Sequence, residues 1–250
     1  MSTGFQDHFS TQAACYAESR PGYPPALFEW LHSRCHGHHV AWDCGAGNGQ
    51  ASHELSRHFG RVVATDASHA QIAHAKPAPG VHFVVSQAEN SCLDERCADL
   101  ITVAQALHWF DLDRFYGEAA RVLRPGGLLA AWSYGMLEVE EAEIDTLIRR
   151  FHYVDVGAYW PAERRHVESG YSELHFPFAR LETPLFAMEV SWNLQQLLGY
   201  LRSWSATVRF KAAHGIDPVA ELEPVLREHW SDESQQHTFR WPLALLVGQP

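Results

Sequence analysis

The chain has 250 residues, of which 46% are hydrophobic and 20% charged, and its 30 acidic against 19 basic side chains give a formal charge of −11. That composition excludes an intrinsically disordered chain. The acidic surplus, with no Lys/Arg run, argues against a nucleic-acid partner, whose phosphates would be repelled.

The chain opens on a segment carrying Phe5, Phe9, Tyr16 and Arg20-Pro21-Gly22-Tyr23-Pro24. Prolines bias the residues before them toward extended backbone, so residues 1–23 read as an arm able to fold over a ligand cleft. The first long helix ends near a cluster of His32, His36, His38 and His39. His32 and His36 lie one helical turn apart, but the cluster reads as a solvated loop and no metal is expected.

Val40-Ala41-Trp42-Asp43-Cys44 is a buried strand running into Gly45-Ala46-Gly47-Asn48-Gly49, with a helix beginning near Gln50. Glycines at alternate positions permit φ values that a Cβ forbids and let backbone approach a ligand. A dinucleotide loop places its third glycine at the sixth position; here that position is Gln50. Asp43 sits two residues before the first glycine, where a carboxylate suits a cationic ligand and opposes a pyrophosphate. A sulfonium and ammonium cofactor, S-adenosylmethionine, therefore fits this loop better than a nicotinamide dinucleotide.

Arg61-Val62-Val63-Ala64-Thr65-Asp66 is a β-branched run ending in an acid. The 23-residue offset from Asp43 to Asp66 suits a carboxylate that accepts from both ribose hydroxyls. The alternative for Asp66 is a helix N-cap. Val81 to Val85 is a third strand, followed by Ser86-Gln87-Ala88-Glu89. Ala98 to Ala104 is a fourth, followed by Gln105-Ala106-Leu107-His108-Trp109-Phe110. Asp111 to Leu123 reads as an amphipathic helix stopped by Arg124-Pro125-Gly126-Gly127, and Leu128 to Trp132 is a fifth strand. This alternation predicts a parallel sheet with helices on both faces over residues 24–134.

After Tyr134 the alternation is lost. Helices are expected over Glu138 to Tyr153, about Trp160 to Tyr171, Asn193 to Arg202, Ser205 to His214 and Pro218 to Trp230, with a strand over Leu185 to Val190. Residues 135–232 thus read as a mainly helical cap holding a substrate. Thr238 to Val247, within residues 233–250, reads as a last strand returning to the sheet. The five cysteines form no CxxC pair, and Cys44 sits in the ligand loop, which suggests free thiols in a reducing cytoplasm. No apolar run approaches the ~18 residues of a membrane span, and Met1 to Ser10 has no signal-peptide core.

Asp43-x-Gly45-x-Gly47-x-Gly49, the acid at 66 and the Arg-x-Leu-Arg-Pro-Gly-Gly stretch before the fifth strand resemble class I S-adenosylmethionine-dependent methyltransferases. Tyr16 to Pro24, Ala104 to Phe110 and Trp204-Ser205-Ala206 resemble the subgroup near trans-aconitate methyltransferase, which acts on small molecules. The resemblance implies a Rossmann-like α/β fold, a seven-stranded, mostly parallel sheet of order 3-2-1-4-5-7-6 with an antiparallel last strand. It implies S-adenosylmethionine held by Asp43, Gly45, Ala46, Gly47, Asn48, Asp66 and Ala67. Ala88 and Glu89 would hold the adenine edge, and Gln105 and Ala106 would lie near the methionyl amine. Tyr16 and Arg20 are candidates for the methionine carboxylate.

Methyl transfer from a sulfonium has a neutral leaving group, so much of the catalysis can come from holding the nucleophile in line. A base is needed only for a nucleophile that arrives protonated. His108, just past the fourth strand, is the candidate base. Tyr23, Trp109, Trp132, Trp160 and Arg209 are candidates for an aromatic, cationic substrate pocket. Arg164, Arg165 and Lys211 either greet an acidic substrate or form surface pairs. The expectation is an enzyme acting on a small-molecule acceptor, which is in one version a carboxylate. A non-enzymatic S-adenosylmethionine-binding regulator and a nicotinamide-dependent oxidoreductase are the alternatives.

Overall fold

The computed structural model describes residues 21–250. The expectations for Tyr16, Arg20 and most of the arm lie outside the described residues. The strands are β1 (Val40–Cys44), β2 (Arg61–Asp66), β3 (Val81–Val85), β4 (Ala98–Ala104), β5 (Leu123–Tyr134), β6 (Glu138–Val139), β7 (Ala179–Arg180), β8 (Phe186–Trp192) and β9 (His237–Gln249). The helices are α1 (Pro25–Arg34), α2 (Gln50–Leu55), α3 (His69–Ala73), α4 (Leu112–Val122), α5 (Ala142–Arg150), α6 (Arg164–Glu168), α7 (Leu194–Arg202), α8 (Ser205–His214) and α9 (Pro218–Glu228).

Strands β3-β2-β1-β4-β5 pair in parallel. β9 runs antiparallel beside β5, from Leu129 opposite Gly248 to Tyr134 opposite Leu243, and carries β8 on its other edge. The expected order is therefore met, with β9 as the seventh strand and β8 as the sixth. The two-residue pieces β6 and β7 lengthen the ladders on either side of β9.

Two apolar layers cover the sheet, and the period-2 alternation of strands assigns residues to them. On one face Leu128, Ala130 and Trp132 of β5 join α1, α2, α5, α7 and α9. On the other, Leu129 and Ala131 join Phe115, Tyr116, Ala119 and Val122 of α4 and the segment from Tyr171 to Phe178. The helices after β5 thus share the sheet's own core.

Local chemistry sets the helix ends. Asp111 caps α4 through Arg114, Asn193 and Gln196 form a capping box on α7, and Gly215 closes α8 in the left-handed region. The expected helix over Glu138 to Tyr153 is broken. Glu138 and Val139 pair with Arg240 and Phe239, and only Ala142 to Arg150 is α-helical before a π-helical turn, Phe151–Asp155. Ladder pairing overrides the helical pattern there. The stretch from Trp160 to Tyr171 shrinks to five-residue α6, with Pro161 before it and Gly170 and Tyr171 at positive φ after it.

Candidate active site

The loop after β1 holds three glycines in the left-handed region, with φ of 68° at Gly45, 56° at Gly47 and 92° at Gly49. Each is glycine for a different local reason. A Cβ on Gly45 would lie 2.7 Å from Cβ of Ala106, and one on Gly49 would lie 2.6 Å from the Phe83 ring. A Cβ on Gly47 would meet only Gln71 Oε1, at 3.7 Å, so the backbone at Gly47 borders open space. Ala46 N–H donates to the Thr65 carbonyl and Gly49 N–H to the Ala46 carbonyl, which fixes the turn. Ala46 and Asn48 lie half-buried on it.

Asp66 closes the loop from β2. Its Oδ2 accepts from Gly47 N–H at 2.8 Å and its Oδ1 from Ser68 N–H at 2.8 Å. A carboxylate offers about four lone-pair sites, more than these two bonds use. Ser68, not Asp66, caps α3, and Ala67 sits half-buried between them.

Asp43 is placed differently from the expectation of a side chain facing the ligand. It is fully buried beneath the loop, with Oδ2 bonded by the Ser52 hydroxyl at 2.5 Å and Oδ1 by the Thr102 hydroxyl at 2.8 Å. Burial pushes its carboxyl up to about 6, against the pull of those two hydrogen bonds. Asp43 therefore ties α2 and β4 together beneath the loop. Cys44 beside it is fully buried, which raises its thiol well above the ordinary range.

Ala88 is buried, and Glu89 spends Oε1 on the backbone N–H of Asp111, at 2.9 Å. Gln105 is expected to meet the methionyl amine through its side chain or its carbonyl. Its side-chain amide donates to the Tyr134 carbonyl and accepts from the Tyr134 N–H, mimicking a further residue of the β5 ladder. The amide is thereby spent on β5, which leaves the backbone carbonyl as the group of Gln105 able to meet a ligand amine. Its φ of 56° costs about 1–3 kcal/mol for a non-glycine residue.

A cavity of ≈ 120 Å³ opens where β4 and β5 end. Its walls combine Gln105, His108 and Trp109 after β4, Tyr134 to Leu137 after β5, and His152, Trp160, Arg164, Trp204 and Arg209 from the later segments. The carboxyl ends of strands beside a change of chain direction are where open α/β sheets bind ligands. Trp109, Trp160 and Arg209 stand in this wall. Trp132 and Tyr23 do not: Trp132 is fully buried in the sheet core, and Tyr23 packs edge-on against it at 5.4 Å. Period-2 alternation sends Trp132 to the α1 face.

Two guanidinium groups supply the cavity's charge. Arg164 lies 4.5 Å over the Trp160 ring, 3.5 Å from His152 Nε2 and 3.7 Å from Glu168, and its Nε is buried without a hydrogen bond. Among the described residues, Arg209 reaches the Tyr159 carbonyl, at 3.5 Å. No Asp or Glu is among the described lining residues. Burial first, then Arg164, lowers both His108 and His152 to about 3, so both rings are neutral near pH 7. Arg165 and Lys211 are exposed and stand outside the wall.

Sequence reading missed His152, Tyr171 and Trp204 as part of this arrangement. Tyr171 places its hydroxyl 2.9 Å from His108 Nδ1. The π-helical turn that carries His152 has no sequence signature, although such turns often mark functional sites.

A family profile described as a methyltransferase domain matches residues 42–131. A Dictyostelium discoideum protein named as a methyltransferase is 33% identical over 90% of this chain and 86% of its own length. A Mycobacterium tuberculosis methyltransferase is 36% identical over 48% of this chain and 49% of its own. The chain belongs to the S-adenosylmethionine-dependent methyltransferases. The solved structure of a type II methyltransferase from Anaeromyxobacter dehalogenans is 43% identical, covers 92% of this chain and 97% of that one, and superposes with a TM-score of 0.87. Membership fixes the cofactor as S-adenosylmethionine, and the glycine cradle at Gly47 beside Asp66 fits it. No helix among the described residues is long and apolar enough to cross a membrane.

Proposed function

We propose that this methyltransferase transfers a methyl group to a small-molecule carboxylate held in the cavity at the ends of β4 and β5. The observation that carries the reading is one of charge. In a chain with a formal charge of −11, the described cavity wall holds Arg164 and Arg209 and no acid. A guanidinium fork suits a carboxylate. Trp109, Trp160 and Trp204 give the cavity an apolar body suited to a small organic acid. Trp109 and Trp204 lie in the stretches Ala104 to Phe110 and Trp204-Ser205-Ala206, which resemble the trans-aconitate methyltransferase subgroup.

Cofactor contacts are assigned on the same footing. Gly45, Ala46, Gly47 and Asn48 present backbone to the cofactor, Asp66 and Ala67 meet the ribose, and Ala88 and Glu89 meet the adenine. The Gln105 carbonyl and Ala106 lie toward the methionyl end, with Asp43 acting from beneath. Residues 135–232 serve as the substrate cap.

When bound, S-adenosylmethionine supplies an electrophilic methyl on a sulfonium. An ionised carboxylate attacks with its own lone pair, the broken S–C pair stays on sulfur, and no proton is released. The chain's task is then to bind, desolvate and aim the acceptor. Calorimetry on protein saturated with S-adenosylhomocysteine tests the acceptor class. Benzoate should bind and benzylamine should not, and the benzoate signal should vanish in an Arg164→Met/Arg209→Met variant. Preference for benzylamine would overturn the reading.

A further inference from the structure

His108 stands in the cavity wall, but one edge of its ring is committed elsewhere. Nδ1 lies 2.9 Å from the hydroxyl of Tyr171, a fully buried residue that does not line the cavity. The backbone holds Tyr171 there at some strain. Its φ is 61°, in the region where L residues are rare, and it follows Gly170 at 59°. A Cβ on Gly170 would lie 2.9 Å from Cβ of Ala244, so β9 sets the path of this turn.

Among the described residues, the phenol hydroxyl meets a hydrogen-bonding side chain at His108 Nδ1. Its single proton is sealed from water and needs an acceptor, because a buried unmade hydrogen bond is costly. His108 Nδ1 is the acceptor at bonding distance. A neutral imidazole that accepts at Nδ1 carries its proton on Nε2. Burial first, then the charges of Arg164 and His166 on α6, keep the ring neutral, and Trp109 packs on it at 4.8 Å.

We propose that Tyr171 locks His108 as the Nε2–H tautomer, so that the ring meets the cavity as a hydrogen-bond donor to an acceptor oxygen and not as a base. Tyr171 is then a positioning residue acting through His108. The consequence for specificity rests on the carboxylate reading above: a site with a donor here serves acceptors that arrive ionised and offers nothing to an amine, phenol or thiol that must lose a proton. The lock itself does not depend on that reading.

Nitrogen-15 NMR of the full chain labelled at histidine, with S-adenosylhomocysteine bound, reads the tautomer directly. The His108 signals are identified by their loss in His108→Gln. Between about pH 6 and 9 the wild type should show a bare Nδ1 and a protonated Nε2, without titration. Tyr171→Phe should lose the single tautomer. A wild-type ring protonated on Nδ1, or one titrating with a midpoint near the ordinary histidine value of about 6.5, overturns the lock without need of any variant.

Benzoate should move the Nε2–H signal downfield. Its affinity should fall about tenfold or more in His108→Leu, and it should survive within about threefold in His108→Gln, whose amide N–H can replace the donor. Benzoate that binds without touching the Nε2–H signal overturns the positioning role. Benzoate that does not bind at all overturns the carboxylate reading, and the tautomer in the ligand-free cavity still decides the lock.

Discussion

The cofactor loop and the acceptor cavity are built by different means. The loop after β1 is a backbone device. Three glycines at positive φ, one buried carboxylate below and one carboxylate at the end of β2 shape it within 24 residues of sequence. The cavity is a side-chain device whose wall runs from Gln105 to Arg209. A backbone device tolerates few substitutions, because any Cβ disturbs it. A side-chain device can exchange one group at a time and so change its acceptor while the cofactor stays the same. Effects of mutation should therefore separate cleanly between binding of S-adenosylhomocysteine and binding of the acceptor.

The largest separation should come from Gly47→Val. Valine at a φ of 56°, with its Cβ entering the open space beside the loop, should lower S-adenosylhomocysteine affinity about 100-fold or more while thermal unfolding stays cooperative. Near-native affinity in the folded variant, measured by calorimetry, would remove the loop from the cofactor site.

Asp43 should show itself through pH. Its folded carboxyl is raised to about 6 from an ordinary 3.8, so it binds a proton more readily folded than unfolded. Its contribution to stability is fully present below about pH 3.8 and is lost as pH rises through about 6, by on the order of 3 kcal/mol. In urea titrations from pH 4 to 8, wild type should lose stability relative to Asp43→Asn across that window. A constant difference would contradict the buried-carboxylate account.

Asp66→Ala should weaken cofactor binding by about 1.5–3 kcal/mol, the range for hydrogen bonds to a charged partner. An analogue lacking both ribose hydroxyls should reduce that loss to what remains from releasing Gly47 N–H. Equal losses for the cofactor and the analogue would leave Asp66 only its loop-holding role. The smallest effect on the cofactor should come from Arg164→Met, which should leave S-adenosylhomocysteine affinity within about twofold while benzoate affinity falls about tenfold. A parallel fall in both would join the cofactor loop and the acceptor cavity into one unit.

The same contrast explains what was legible in sequence. Positive φ demands glycine, so the spacing of Gly45, Gly47 and Gly49 announces the turn. The β-branched runs of β2 and β4 announce buried parallel strands. Even the sheet order and the return of β9 followed from the resemblance those motifs carry. Side-chain destinations were less visible. Trp132 and Trp160 look equivalent in the chain, yet strand alternation buries one in the core while the other lines the cavity. The side chain of Gln105 reads as a ligand contact until its amide is seen bonded to both backbone groups of Tyr134. Tyr171 carries no local signal, because its meaning arises only where its hydroxyl meets His108, 63 residues away in sequence.

The most direct test of the central claim is the chemical identity of the methylated product. Protein supplied with S-adenosylmethionine labelled in the methyl group should be incubated with a panel of small carboxylates, amines, phenols and thiols, and the products treated with mild base. Label transferred to carboxylates and released by base as methanol, the behaviour of methyl esters, is the predicted result. Base-stable label on an amine, phenol or thiol, with the carboxylates unmodified, would contradict it.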